Sequence, residues 1–362
     1  GLVFAPFYFR SRISTLPEYV EKRYGTAART FLAFIFVMSA LLVHIGISLY
    51  AGAKVLEELF GIPNVASIVG ISVITAIYTI IGISVITAIY TILGGLKAVM
   101  VTDAIQAVLL LLGAAILTFA GIQMLPSVGV ESWADLKAAC RPDQLSMVQP
   151  IKDAAAPGSL GLREFSWYSI LFGYPVLGIW YWCTDQTIVQ KILAARTEKD
   201  GRDGAIFAGY LKILPVFLMV LPGVIGYVLF QDKIGDDNDA TLMVMMKELL
   251  PVGVRGLMAA GLLAALMSTI EAALNSTATL TAEDIVKRLR PKTPDATLVS
   301  IGRVTAGVVV VLAMLWSTQG GKFGSIFEAI NKIPMAFAPG ITTIFLWGVF
   351  WPRGNKQGAM AA

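Results

Sequence analysis

Long apolar runs separated by short polar stretches dominate the sequence, and each run is long enough to cross a lipid bilayer. A spanning helix needs about 20 mostly apolar residues. On that criterion the pattern predicts eight complete spans, at 28–52, 64–94, 103–125, 166–192, 205–230, 250–281, 298–317 and 326–351. The opening string, GLVFAPFYFRSR, is typical of the tail of a further membrane helix, so we expect this chain to be a fragment whose first helices are missing.

Charged residues in the connections predict which side of the membrane each one faces. Three connections are rich in Lys and Arg, namely 10–29, 191–203 and 283–297. By the positive-inside rule these three are expected in the cytoplasm. The acidic stretch DKIGDDND at 232–239 and the long mixed connection at 126–165 are then expected outside the cell, and this alternation agrees with eight spans.

The composition supports a membrane protein and argues against several other classes. Hydrophobic residues make up 56% of the chain and charged residues only 14%, whereas a soluble domain carries roughly a quarter charged residues. We therefore expect one all-α, polytopic transmembrane domain over residues 1–362, in the cell membrane and, more narrowly, in the bacterial inner membrane. Lipid is its expected surrounding, and nothing in the sequence indicates an obligatory protein partner.

The sequence contains no motif typical of an enzyme active site or of a nucleic-acid-binding protein. The single His44 lies in an apolar run, without the clustered ligands that a zinc site needs. No nucleophile–base pair stands out, and the net charge of +4 comes without a basic patch suited to nucleic acid. We expect neither an enzyme nor a nucleic-acid partner.

One segment occurs twice in succession. ISVITAIYTIIG at 71–82 is followed at once by ISVITAIYTILG at 83–94, with eleven of twelve positions identical. In a helix, twelve more residues add about 18 Å and rotate everything beyond them by about 120°, which a packed bundle does not absorb easily. A functional repeat would need several copies, so a recent local duplication or an assembly error is the favoured interpretation. If the second copy is genuine, we expect the helix predicted at 64–94 to be distorted or displaced.

The span at 166–192 combines helix breakers with polar residues. Gly173, Pro175 and Gly178 lie in its middle, and the polar string TDQ follows. Proline removes a backbone hydrogen bond and glycine tolerates unwinding, so the pattern predicts a kink or a break midway. Transporters use such broken helices to present backbone groups to a solute or an ion. A proline kink without a site is the alternative, and the polar string favours a site.

A second candidate site lies in the span at 250–281. Ala265, Ser268 and Thr269 fall within about one helical turn, so one carbonyl and two hydroxyl groups can converge on one point. Hard cations such as sodium prefer oxygen ligands of this kind. Small residues and hydroxyl side chains also occur where membrane helices simply pack together, and on this motif alone that alternative stays open.

Several charged residues fall inside predicted spans, where a charge is costly unless it faces a partner or a watery cavity. Lys212 stands alone in its span and is a strong functional candidate. Asp103 lies near a membrane edge, where it could cap the helix that begins there. Lys332 follows Glu328 by four residues, a spacing that allows an ion pair. Glu271 could tune cation binding or form a salt bridge.

Four motifs, in this order, resemble the sodium:solute symporter family and specifically its sodium/glucose and sodium/galactose cotransporter branch. The matching strings are GGLKAVMVTDAIQ, YWCTDQTIVQ, GYLKILPVFLMVLPG and LMSTIEAALNSTAT, and the likeness runs from STLPEYVEKRYG to LWGVFWPRG. The resemblance implies the leucine-transporter fold, with ten core helices in two inverted five-helix repeats, incomplete here at the N-terminus.

The resemblance also implies roles for individual residues. On the broken sixth core helix, Tyr181 is an inner gate that packs on the sugar face, and Trp182 neighbours it. Lys212 on the seventh core helix hydrogen-bonds sugar hydroxyls. The resemblance further implies that Phe327 and Asn331 contact the solute. It implies that the sodium site includes Asp103, Ala265, Ser268 and Thr269.

One position departs from the family pattern. Sugar transporters of this branch carry a glutamine on the tenth core helix, where this chain has Asn331 one turn after Phe327. Asparagine has a shorter reach, so the identity of the sugar is left open. The first core helix supplies the other half of the sodium site, and without it we do not expect the chain to transport.

We therefore expect a secondary active symporter that couples sodium entry to uptake of a glucose- or galactose-like sugar by alternating access. A near alternative keeps the mechanism and changes the cargo to myo-inositol, sialic acid, another polyol or an organic anion, for which Lys212 would be the counter-charge. An alternative from another class is a transporter-like sensor that binds solute and signals through a partner.

Overall fold

The computed structural model describes most of the chain, namely residues 1–74, 95–141, 145–146, 148, 150, 166–235 and 237–362. All regular secondary structure in this part of the chain is helical, which confirms the predicted all-α class. Most of the span predicted at 64–94 lies outside the described residues. The expected displacement of that helix by the repeat lies outside them too.

The N-terminal helices include one long continuous span, Thr26–Phe60. They are α1 (Phe4–Arg10), α2 (Leu16–Tyr24), α3 (Thr26–Ser39), α4 (Gly46–Phe60), α5 (Asn64–Ile74), α6 (Gly95–Met124) and α7 (Trp133–Ala139). A wide π-helical turn, Ala40–Ile45, joins α3 to α4. Thr15 caps α2 by accepting a hydrogen bond from the backbone of Glu18, and Gly61 ends α4 in the left-handed conformation that glycine adopts without strain.

The remaining helices follow the long polar connection. They are α8 (Tyr174–Ile179), α9 (Gln186–Leu193), α10 (Glu198–Leu211), α11 (Leu221–Ile234), α12 (Thr241–Leu249), α13 (Val252–Thr279), α14 (Lys287–Leu289), α15 (Asp295–Ser317), α16 (Ile326–Met335), α17 (Ala338–Phe350) and α18 (Lys356–Ala361). Further π-helical turns are Ser169–Gly173, Trp180–Thr184, Val216–Val220 and Leu280–Val286, and 3₁₀ turns are Leu125–Val128, Asn238–Ala240 and Gly320–Phe323.

Among the described residues, five helical stretches are long and apolar enough to cross a membrane. They are Thr26–Phe60, Asp103–Val128, Glu198–Ile234, Val252–Leu289 and Asp295–Ser317. A sixth is added if α16 and α17, which are bent by 54° at their junction, count as one span. Pro334 lies inside α16 and Pro339 in the first turn of α17, and neither has the amide hydrogen that a straight helix would use.

Ion pairs gather the basic connections at one end of the bundle. Arg29 binds Asp284 at 2.7 Å and Glu21 at 2.6 Å, and Arg10 lies 3.4 Å from Glu198. These contacts join the three segments that the charge pattern predicts to be cytoplasmic. All three therefore lie on the same side of the bundle.

The acidic stretch lies at the opposite end of the span formed by α3 and α4. Lys54 binds Asp237 at 2.7 Å, and Asp239 accepts a hydrogen bond from the backbone of Ile326 at 2.9 Å. Lys54 and Arg29 are on one continuous helix, about 38 Å apart at 1.5 Å per residue. The basic and acidic connections thus face opposite sides, as the charge pattern predicts.

Helix α13 lies at the centre of the bundle. Its Ile270 and Leu274 pack with α3, α4 and α15, whereas its Met258 and Ala259 pack with α6, α11 and α12. Lipid is as apolar as these side chains, so close packing and not exclusion from water stabilises such contacts. Residues on α13 consequently have neighbours on α3, α4, α6, α11, α12 and α15.

Candidate functional site

The span at 166–192 is not broken midway, near Gly173 and Pro175, as the sequence predicts; the break lies at Asp185. Its backbone is extended, with φ −86° and ψ 127°, between the turn that precedes it and α9. The backbone stays helical through Gly173 and Pro175, which suggested the break. Pro175 falls in the first turn of α8, directly after a π-helical turn, and there a missing amide hydrogen is tolerated.

The polar string behind the aromatic residues is buried, and each member has a partner. Asp185 accepts a hydrogen bond from the backbone of Thr187 at 2.9 Å and so caps α9. Thr184 donates to the carbonyl one turn earlier at 2.9 Å. Gln186 accepts from the backbone amide of Leu16 at 2.8 Å. These bonds offset the cost of removing polar groups from water.

Three of the residues expected at the solute come together. The rings of Tyr181 and Trp182 meet edge to face with centroids 4.8 Å apart, and Lys212 Nζ lies 4.6 Å from the centroid of Trp182. Trp182 is 44% exposed, so part of its ring stays accessible. The three side chains together offer an apolar face and ammonium donors, a combination suited to a polyhydroxylated ring.

The two solute candidates of α16 contact each other. Asn331 is buried, and its Nδ2 donates to the carbonyl of Phe327 at 2.7 Å, while the Phe327 side chain is exposed. One amide hydrogen of Asn331 is therefore committed to its own helix. On the same helix the ion pair between Lys332 and Glu328 is confirmed at 3.0 Å.

The cation candidates on α13 divide into two contacts. Thr269 Oγ1 donates to the carbonyl of Ala265 at 3.1 Å, so these two oxygens do lie side by side. Ser268 Oγ points instead to Asp103 and donates to its Oδ1 at 2.5 Å. On α13 a carbonyl and two hydroxyl oxygens thus lie within about one turn, and the hydroxyl of Ser268 contacts the carboxylate of Asp103 on α6.

Asp103 bridges three helices. It lies inside α6, well past the first residue of that helix, so the interpretation that it caps a helix is wrong. Besides Ser268 of α13, its carboxylate binds Lys191 of α9, with Nζ 3.0 Å from Oδ2. Gln190 adds a second link between α9 and α13, because its amide donates to the carbonyl of Ala272 at 3.0 Å.

Two residues of this region were not selected from the sequence. From the sequence Lys191 is an ordinary cytoplasmic basic residue, and only the packing of both α6 and α9 on α13 brings it to Asp103. His44 resembled a lone polar residue in an apolar run, yet it lies 3.2 Å from Asp185. The available signal was general: an ionisable residue inside a span usually has a function. Glu271, which was named from the sequence, is buried as well.

Known proteins of one family match the chain over nearly its whole length. A model of the sodium:solute symporter family matches residues 1–83 and 82–362. The two matched segments meet between the two copies of the repeat.

Individual relatives are cotransporters. The sodium/mannose cotransporter of Bos taurus is 36% identical over 381 residues, covering 99% of this chain and 61% of its own length. The sodium/myo-inositol cotransporter 2 of Homo sapiens is 33% identical and the sodium/glucose cotransporter 4 of Danio rerio also 33%, covering 99% of this chain and 54% and 56% of their own lengths. The chain thus spans between about half and three fifths of the curated relatives it matches.

A solved structure has the same fold. It is the substrate-bound outward-open state of a Na⁺-coupled sialic acid symporter, with a TM-score of 0.73 and 22% identity over 99% of this chain and 71% of that chain. This likeness confirms the expected leucine-transporter-like architecture.

Proposed function

Because the chain belongs to the sodium:solute symporter family, we propose that it forms a secondary active symporter in which sodium entry drives the uptake of a sugar. The observation that carries this proposal is the position of Asp103. One carboxylate binds both α13, the helix of the cation candidates, and α9, the helix that follows the break at Asp185.

This arrangement gives sodium a route to the solute gate. A cation held by the oxygens of Ala265 and Thr269 would lie within about one turn of Ser268 and so close to Asp103. It would compete with Lys191 for the negative charge of Asp103. Lys191 is on α9, directly after the break, so occupancy by sodium biases the position of the segment next to Tyr181. An ion can shift a conformational equilibrium only through such a difference in contacts between the two states.

The solute proposal rests on the exposed surface around Trp182. A pyranose has an apolar face for an indole ring and a rim of hydroxyl groups for the three donors of a lysine. Lys212 and Trp182 provide both. The relatives are named as cotransporters of mannose, myo-inositol and glucose, all of them neutral and polyhydroxylated. We accordingly propose a neutral sugar or polyol as cargo.

The test measures uptake into proteoliposomes by the protein expressed from its full gene. Labelled mannose, glucose, galactose and myo-inositol are offered under an inward sodium or potassium gradient. We expect accumulation of at least one of them with sodium alone. Accumulation of none would contradict the sugar proposal, and solute binding without accumulation would favour a sensor.

A pair of serine variants tests the cation site. Ser268→Ala removes the hydroxyl that binds Asp103, and we expect it to raise the sodium concentration for half-maximal uptake about tenfold. Ser276→Ala is the matched control, because Ser276 is buried on the same helix and its hydroxyl has no hydrogen-bond partner among the described residues. Equal effects of the two changes would contradict the assignment.

An acidic solute is the second candidate, favoured by the charge of Lys212. In the described part of the chain its ammonium contacts the Trp182 ring and no carboxylate pairs with it. Lys212→Gln should raise KM about tenfold for a neutral sugar and about a hundredfold for an acidic solute that loses its counter-charge. Lys233→Gln is the control, since Lys233 also lies over an aromatic ring but at a surface pair with Glu248.

A further inference from the structure

The single histidine of the chain lies against the break at Asp185. His44 is 5% exposed and Asp185 2% exposed, and His44 Nε2 is 3.2 Å from Asp185 Oδ2. The His44 ring also lies 5.9 Å from the Tyr181 ring, centroid to centroid, at an angle of 36°. One imidazole therefore contacts both the carboxylate that caps α9 and the aromatic ring expected to gate the solute.

The backbone around His44 is held in place by contacts with a neighbouring helix. Ala40–Ile45 is a π-helical turn, and such a turn leaves a carbonyl without its usual partner in the helix. Trp316 Nε1 of α15 donates to the carbonyl of Leu42 at 3.1 Å. Gly46 makes room for that indole, because a Cβ at this position would collide with the Trp316 ring. The wide turn is thus supported from outside its own helix.

Asp185 uses its two carboxylate oxygens for different contacts. Oδ1 accepts from the backbone of Thr187 and caps α9, whereas Oδ2 faces His44. A buried carboxylate is strongly destabilising when a hydrogen-bond partner is removed. Tyr181 precedes Asp185 by about one helical turn, so a shift of this carboxylate is transmitted to the Tyr181 ring.

We propose that His44 is a positioning residue of the solute gate. Its hydrogen bond holds Asp185 at the break, and its ring orients Tyr181, so that the gate and α9 move together. The inference rests on the proposed function, because it takes Tyr181 as the gate. His44 acts through these two neighbours and not on the solute itself.

Two substitutions separate the two contacts. His44→Phe keeps a ring beside Tyr181 and removes the hydrogen bond to Asp185, and we expect kcat for sodium-driven uptake to fall about tenfold. His44→Gln keeps a donor of similar reach and removes the ring, and we expect kcat within about threefold of wild type with KM raised about fivefold. Ser39→Ala is the matched control, since Ser39 is buried in the preceding helix and its hydroxyl has no partner among the described residues.

A double variant tests the mechanism further. Asparagine still caps a helix but carries no charge. Adding Asp185→Asn to His44→Phe should therefore restore at least part of the lost rate. Wild-type kcat and KM in the His44 variants would overturn the proposal. His44→Phe alone could fail to fold. In that case, failure of the His44→Phe/Asp185→Asn double variant to fold or to transport would overturn the proposal.

A second readout does not depend on transport. Cys183 lies between Tyr181 and Asp185, half-buried and free, and its alkylation can be followed in a background without other cysteines. A loosened break should speed this alkylation about tenfold in His44→Phe and leave it near the wild-type rate in His44→Gln. Unchanged alkylation in every variant would overturn the role of His44. Absence of uptake by the wild type would instead contradict the proposed function, and the alkylation result would still decide the role of His44.

Discussion

Asp103 illustrates how one side chain can link helices that are remote in sequence. Ser268 is 165 positions and Lys191 88 positions away, yet both bind the same carboxylate. The motif GGLKAVMVTDAIQ selected Asp103 through its resemblance to a family, but only the packing of α6, α9 and α13 gives it two partners at once. A residue of this kind transmits a change at one helix to another.

Replacing Lys191 separates coupling from stability. The Lys191 side chain is 47% exposed, so its pair with Asp103 should stabilise the fold by less than about 1 kcal/mol. We expect Lys191→Gln to leave the melting temperature nearly unchanged while weakening the sodium dependence of uptake severalfold. Lys233→Gln, which breaks a comparable surface pair at 2.6 Å, should change neither. A large loss of melting temperature with normal sodium dependence would contradict the coupling role.

The positions of the helices follow the apolar pattern closely, but the position of the break in the span at 166–192 does not follow the glycine and proline residues. The spans predicted at 250–281 and 298–317 correspond to α13 and α15. This break lies at Asp185 and not at Gly173 or Pro175. There the Asp185 side chain accepts a hydrogen bond that compensates for the helical hydrogen bonds lost at the break. Glycine and proline permit a break, and tertiary contacts decide where it occurs.

The π-helical turn that carries His44 depends on a close approach between two helices. Gly46→Ala places a methyl group against the Trp316 ring, and we expect it to destabilise the protein by about 1–3 kcal/mol through overpacking. Gly307→Ala on α15 is the control, because a methyl group there meets no described atom within 4 Å. Thermal unfolding in detergent compares the two. Equal melting temperatures would show that the turn tolerates displacement of the indole.

Across the whole molecule, the two ends of the bundle are held by different networks. Burial raises the pKa of Glu21, but the hydrogen bonds from Arg29 and Thr26 and the nearby charge of Arg288 together lower it more, so the net pKa lies below the usual range. A lowered pKa means that this pair stabilises the fold at neutral pH and that the contribution is lost as the pH falls through the folded-state pKa. At the opposite end of the bundle, Lys54 forms ion pairs with Asp237 and Asp239.

Removing the central cation of the basic end should destabilise the entire bundle. The Asp284 side chain is 0% exposed, so Arg29→Met leaves a buried carboxylate without its cation, and we expect a loss of about 3–5 kcal/mol. Adding Asp284→Asn should recover part of that loss. Arg10→Met is the control, because its side chain is 76% exposed and its pair contributes little. A similar melting temperature for all three variants would contradict the ranking.

Patterns of hydropathy and charge depend only on residues that are close together in the sequence. The sequence alone therefore determined the all-α class, most of the spans and the end of the bundle at which each basic or acidic connection lies. Family motifs added the candidate site residues. The pairing of Asp103 with Lys191 and of His44 with Asp185 could not be read from the chain, because it spans 88 and 141 positions. Such contacts exist only after the helices pack. An isolated charge in an apolar run shows that a partner is needed, and the packed bundle supplies it.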